Sequence, residues 1–298
     1  MSLGSKHTIV SAAILAASVG FTICAYRSHA SGPMHLAVAP VAAVGVPQAD
    51  PRTLRVCADP NNLPFSNDRG EGFENQIAST IANDLNRSLV YYWHPQRRGF
   101  LRTTLLAGAC DVVMGVPRQL ERARVTRPYY RSSYVFVSRH DRRFTITSLD
   151  DPRLRSLEIA IPITGDDYDN PPPARALAAR HIIDNVHGYP VYGDYSKPHP
   201  SSGAVDAVRK GDADMAIAWG PIAGFAARQP GARLDLTPLP DRDGSLPFAF
   251  DIAIALRRDD RVLASQVDAI LERRAIDIER VLDAYGVPRT PTKARVKG

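Results

Sequence analysis

The chain has 298 residues, 44% of them hydrophobic, enough for about two domains with cores of their own. Its net charge of +6 and pI near 9.3 are spread thinly, and no Lys/Arg block with interleaved aromatics occurs, which excludes a nucleic-acid-binding module. Such an excess reads as a solvated surface that would also draw in an acidic partner.

Lys6 and His7 precede an uncharged stretch over 8–25, followed by Ser28-His29-Ala30. This is the pattern of a secretory signal peptide over 1–30, with periplasmic export as its consequence. An uncleaved anchor helix is the rival reading, although the stretch is near the short limit for spanning a bilayer. Cys24 lacks a lipobox around it. No later stretch is long and apolar enough to span, so no stable membrane insertion is expected once the leader is removed. Cleavage would remove Lys6 and Arg27 and lower the charge from +6 to +4. Residues 31–52, rich in Ala, Val and Pro, read as a flexible spacer. Residues 289–298 read as a disordered basic tail.

Between these ends, strands and helices alternate. Residues 54–58 form a β-rich run. Phe73, Ile77, Ile81 and Leu85 recur at every fourth position, the apolar stripe of a helix. Residues 89–93 predict a strand, 98–107 a helix closed by Gly108, and 111–116 a strand. This β-α-β-α-β order implies parallel strands with crossover helices. A second set follows a strand at 133–137: strands at 157–161, 186–192 and 214–219, with helices at 173–181 and from Ser202, as N-cap, to Lys210. A strand at 251–257 and helices at 262–274 and 276–285 close the chain.

The fold class is therefore α/β in two lobes, each a sheet flanked by helices, joined by two crossover hinge segments. Lobe 1 is discontinuous (53–139 and 249–288) and lobe 2 spans 140–248. A ligand cleft is expected between the lobes, at the C-terminal ends of parallel strands. Cys57 and Cys110 remain after leader removal, and export favours a disulfide between them. Register argues the other way. If their strands are parallel neighbours, the two Cα atoms are offset by roughly 10 Å, whereas a bridge needs less than about 7 Å. Both readings stand.

Chemistry-bearing motifs are sparse. No P-loop, G-x-G-x-x-G or nucleophile elbow occurs. His94, His140, His181, His187 and His199 lack zinc-binding spacing. Asp166, Asp167 and Asp169 lack the glycine and distal Glu of a calcium loop, so they read as turn-capping carboxylates. No metal, cofactor or catalytic residue is expected.

Specific wording adds to this. Cys57-Ala58-Asp59-Pro60 with Leu63-Pro64-Phe65-Ser66, then Gly72-Phe73-Glu74-Asn75, and later Glu121-Arg122 with Arg127-Pro128-Tyr129-Tyr130, resemble type 2 periplasmic solute-binding proteins. Narrower still are Pro95-Gln96-Arg97-Arg98-Gly99-Phe100, Cys110-Asp111-Val112-Val113-Met114-Gly115-Val116-Pro117, Gly165-Asp166-Asp167-Tyr168, Gly188-Tyr189-Pro190-Val191-Tyr192-Gly193-Asp194-Tyr195 and Trp219-Gly220-Pro221. Over 53–288 the chain resembles the MxaJ/XoxJ family, binding-protein-like partners of methanol dehydrogenases. The resemblance implies a non-catalytic accessory protein. Its expected partners are a periplasmic PQQ methanol dehydrogenase, of calcium or lanthanide type, and that enzyme's cytochrome c. The alternative is the solute receptor of an ABC importer for a small anionic ligand.

In amino-acid-binding relatives an Arg grips the ligand carboxylate, and Arg122 matches it. The hydroxyl five residues earlier is replaced by Pro117. An Asp that holds the ligand ammonium is replaced by Trp219. The expected cleft or partner surface comprises Asp59, Asn61, Phe65 and Trp219, the arginines Arg97, Arg98, Arg118 and Arg122, and Asp166, Tyr168, Tyr192 and Tyr195. The arginines would grip carboxylate, or else pair with acids such as Asp111 and Glu121. The aromatics would anchor a partner, or else serve as packing.

Overall fold

The computed structural model describes residues 50–164, 170–192, 195–196 and 199–290. The leader, residues 31–49 of the spacer, the tail beyond 290 and the loop with Asp166, Asp167, Tyr168 and Asp169 lie outside the described residues.

Two-residue ladders and 3-10 turns aside, the elements in chain order are β1 (Thr53–Ala58), α1 (Phe73–Asp84), β2 (Ser88–Trp93), α2 (Phe100–Thr103), β3 (Val112–Pro117), β4 (Tyr130–Arg139), β5 (Ile159–Ile163), α3 (Pro172–Ala179), β6 (Val186–Pro190), α4 (Gly203–Lys210), β7 (Met215–Trp219), α5 (Gly220–Ala227), β8 (Leu234–Pro238), β9 (Ala249–Leu256), α6 (Arg261–Arg273) and α7 (Ala275–Ala284). The strands order as β2-β1-β3-β9-β4-β7-β5-β6, and β8 also pairs with β4.

The fold is the expected two-lobed α/β arrangement. β2, β1 and β3 are parallel, with Val56 beside both Tyr91 and Val112. β7, β5 and β6 are likewise parallel. β4 serves both sets. Its residues 130–133 pair antiparallel with β9, and from Tyr134 onward it pairs with β7 and then β8. The partner thus changes between Ser133 and Tyr134. The return path runs beside it, where the Tyr134 N–H donates to the Phe248 carbonyl at 2.9 Å.

Apolar periodicity explains the cores. Phe73, Ile77 and Ile81 of α1 are buried with Val267, Ile270 and Leu271 of α6 against β1, β3 and β9. In the other lobe, Ile159, Met215 and Ile217 face one side of the sheet, while Val135, Ala216 and Val208 fill the other.

A third link between the lobes was not foreseen. After α7, the Tyr285 ring stacks on Phe225 of α5 at 6.0 Å. Ser132 Oγ donates to the Pro288 carbonyl at 2.6 Å. α5 meets the chain so closely that a Cβ on Gly224 would stand 1.9 Å from the Gly286 carbonyl oxygen.

Two local expectations fail. The helix over 98–107 is only the single turn α2. Gly99, at φ 85°, starts it from the left-handed region, and Thr104, at φ −118° and ψ −87°, ends it. The Thr104 hydroxyl donates to the Phe100 carbonyl at 2.6 Å and closes that turn. Ser202 does not cap α4 with its side chain. It ends a 3-10 turn, Pro200–Ser202, and its hydroxyl is turned to the His199 carbonyl and the Asp206 carboxylate.

Cys57 and Cys110 form a disulfide, with Cα atoms 5.5 Å apart. The register argument against it fails because it assumed an extended chain through Cys110. β3 starts only at Val112, and its register places Cys57 opposite Val113. The chain bends at residues 110–111, where the Asp111 N–H donates to the Arg55 carbonyl at 2.9 Å.

Candidate functional site

Two adjoining cavities open at the C-terminal ends of β1, β3 and β7, and both are bordered by Asn62, Phe65, Gln96, Gly115, Pro117 and Trp219. The outer cavity, about 510 Å³, adds the polar residues Asp59, Asn61, Arg97, Arg122, Tyr192 and Tyr195. The inner one, about 340 Å³, is walled mainly by Met114, Tyr130, Tyr134, Phe250 and Ile252, with Glu74 as its acid.

Sequence reasoning placed eight residues here: Asp59, Asn61, Phe65, Arg97, Arg122, Tyr192, Tyr195 and Trp219 all line the outer cavity. Arg98 and Arg118 are exposed and line neither cavity. Asp166 and Tyr168 lie outside the described residues.

Asp59 is 3% exposed, and its carboxylate is consumed within the protein. It accepts the Asn61 N–H at 2.8 Å, the Gln96 N–H at 2.6 Å and the Tyr195 hydroxyl. The Asn61 side-chain amide donates to the Tyr195 carbonyl at 3.3 Å, and the Arg97 guanidinium lies 5.5 Å from the centre of the Tyr195 ring. These four residues latch the loop after β6 to the loops after β1 and β2. Burial, then the bond to Asp59, pushes the Tyr195 phenol well above its ordinary pKa, so it stays a donor.

Asp111 is not the ion-pair partner of the cleft arginines. It is buried between Arg55, at 2.7 Å, and Arg257, at 3.1 Å. Burial alone would raise its carboxyl, but the bonds from Arg55 and Arg257 hold it below the usual range. Arg122 lines the outer cavity with its side chain exposed.

Trp219 ends β7 and is the residue just before α5. Its indole meets Tyr134 edge-on at 5.3 Å and Phe250 at 5.9 Å, bridging both cavities. Gly220, the next residue, lets α5 begin against β4, since a Cβ there would stand 2.6 Å from the Ser133 carbonyl oxygen.

Glu74 was missed as a site residue. It stands beside the buried stripe of α1, and a Cβ on Gly115 would lie 2.3 Å from its Oε1. Burial pushes its carboxyl up to about 8, offset in part by the Tyr129 hydroxyl, which donates to Oε1 at 3.3 Å. The available signal was an acid at the start of an otherwise apolar helix face.

Residues 54–280 match the model of the bacterial extracellular solute-binding proteins, family 3. Protein MoxJ of Methylorubrum extorquens is 34% identical over 255 residues, covering 81% of this chain and 83% of MoxJ. The chain belongs to family 3 of the bacterial extracellular solute-binding proteins, and within it to the MxaJ/XoxJ family. Among solved structures, this solute-binding-family chain is similar to the periplasmic binding protein XoxJ from Methylobacterium extorquens AM1. The TM-score is 0.66 and the identity 34%, with 80% of this chain and all of that one covered. It is also similar to MxaJ from Methlophaga aminisulfidivorans MPT, at TM-score 0.67 and 26% identity, with the same coverage. An ancestral cationic amino acid solute-binding protein shares the fold at TM-score 0.60 and 18% identity. Among the described residues, no helix is long and apolar enough to cross a membrane.

Proposed function

We propose that this chain is a non-catalytic periplasmic accessory protein that binds a PQQ-dependent methanol dehydrogenase and assists its activation or maturation. Kinship with MoxJ and XoxJ supports the assignment. The observation that carries it is Trp219. Where amino-acid-binding relatives resembling this chain present an Asp, an indole wedges between Tyr134 and Phe250. Pro117 removes the companion hydroxyl on the opposite wall. In the pose of those relatives a free α-amino acid keeps Arg122 for its carboxylate but loses the companion hydroxyl and the Asp for its ammonium. Burying the ammonium beside Trp219 without that counter-charge is costly. Aromatic walls with a polar rim suit a polypeptide segment better. Lobe limits near 53–139, 140–248 and 249–288 put a hinge along β4 and at Phe248, where the chain returns into β9, so the cleft can widen.

Size-exclusion and calorimetric binding to purified dehydrogenase, with and without its PQQ, test the reading. Binding that weakens at least tenfold in Trp219→Ala supports it. A protein that recovers only a small molecule from periplasm, and never the dehydrogenase, overturns it.

Arg122 favours a second reading, the receptor of an importer for a small anion, because it lines the outer cavity with an exposed guanidinium. A thermal-shift screen of small carboxylates separates the two. A cognate ligand at 100 times its Kd adds about 2.7 kcal/mol.

A further inference from the structure

The inner cavity combines aromatic walls with a buried carboxyl. Its walls include the rings of Phe65, Tyr130, Tyr134, Trp219 and Phe250, and its acid is Glu74, 9% exposed. Among the described residues no Arg or Lys borders it, and Arg97, Arg102 and Arg122 line the outer cavity instead. Asp59, a buried acid of the outer cavity, is held by three donors, whereas Glu74 Oε1 accepts one long bond from Tyr129. The absence of a Cβ at Gly115 is what admits the carboxyl to this wall. Aromatic faces attract cations, most strongly where water is excluded.

We propose that this inner cavity binds an alkylammonium group, seated among the aromatic faces and against the Glu74 carboxylate. The inference stands on the cavity itself and does not require the dehydrogenase reading.

A proton accompanies the ligand. Burial pushes the Glu74 carboxyl up to about 8, so it is largely protonated at neutral pH. The ionisable groups that act on it or share its field are the phenols of Tyr91 on β2, Tyr129 before β4 and Tyr130 on β4, all raised well clear of neutrality or above their ordinary value. An entering R–NH3+ keeps its own protons. The carboxyl O–H gives its proton to solvent, and the carboxylate pairs with the ammonium. Affinity therefore rises about tenfold per pH unit below pH 8 and levels off above it. The ammonium group comes either from a free amine or from a lysine side chain of a polypeptide, and the chemistry at Glu74 is the same.

The test is calorimetric titration of the full chain with n-butylammonium, with Nα-acetyl-lysine methylamide and with n-butanol, at pH 6, 7 and 8, in two buffers of different protonation heat. The expected result is binding of at least one ammonium ligand with release approaching one proton at pH 7, and at least tenfold weaker binding of butanol. Glu74→Gln, isosteric with the protonated acid and so expected to melt cooperatively, loses both the proton release and at least tenfold in affinity. Trp219→Leu weakens binding but keeps the proton release. Tighter binding of capped lysine than of the amine assigns the group to a polypeptide; tighter binding of the amine assigns it to a free solute. Absence of binding by both ammonium compounds at millimolar concentration, butanol binding as tightly, or a Glu74→Gln protein that binds unchanged would each overturn the proposal.

Discussion

The phenol of Tyr195 donates to the buried carboxylate of Asp59, 136 residues earlier in the chain. Asn61 and Arg97 reinforce the same contact from the backbone carbonyl and the ring face. The predicted cleft residues are thus partly a latch rather than an open row of ligand groups. Tyr195→Phe removes one donor and is expected to cost about 1 kcal/mol. Asp59→Ala also strands the Asn61 and Gln96 amides and should cost about 2–3 kcal/mol. Denaturant melts give the energies, and hydrogen exchange should quicken around residues 186–192 in both variants. Unchanged exchange there would show that the latch holds nothing.

The Cys57–Cys110 bridge closes a 53-residue separation. On loop entropy this is worth about 4 kcal/mol. Thiol reduction, or the paired change to Ser, should lower the melting temperature markedly. The loss should be largest in the cluster of Phe100, Leu105, Val113 and Val116 that packs around the bridge. A melting temperature indifferent to reductant contradicts the pairing.

Glu74 makes stability depend on pH in an unusual direction for a carboxyl. Its folded value, about 8, lies above the ordinary 4.5. Its protonated form therefore favours the folded state fully below about pH 4.5, and that advantage is lost as pH rises through 8. Between those limits the slope approaches 1.4 kcal/mol per pH unit. Glu74→Gln should flatten this part of the stability–pH curve. A wild-type curve that is already flat from pH 5 to 8 would refute the assignment.

Gly224→Ala tests the C-terminal link. The new methyl would meet the Gly286 carbonyl at 1.9 Å, and backbone cannot yield as a side chain does. A cost of about 1–3 kcal/mol is expected, with limited proteolysis releasing residues near Pro288 first. Wild-type resistance in the variant would mean that the segment can shift without leaving β4.

Gly115→Ala addresses the wall of the inner cavity. Gly115 has φ 72°, a region that disfavours other residues, and an added Cβ would press on Glu74 Oε1. A loss of about 1–3 kcal/mol is expected from chemical denaturation. The variant should also lose the Glu74 pH dependence, because the carboxyl is driven out of its site.

Local chemistry carries the alternation of strands and helices. The stripe Phe73, Ile77, Ile81 makes α1 amphipathic wherever it packs, and the β-branched runs of β1, β3 and β9 read as strands for the same reason. The linked motifs around Asp59, Arg97 and Trp219 were enough to point to the family and to eight of the residues that line the outer cavity. What the sequence could not settle depends on contacts between distant residues. The bend at Cys110 brings it to Cys57, and Tyr195 takes up the Asp59 carboxylate. Glu74 and Gly115 are 41 residues apart, and only the packing of α1 on β3 turns an ordinary helix acid into a buried one. Periodicity is a property of neighbours along the chain. Burial of a charge is set by whatever tertiary packing brings against it.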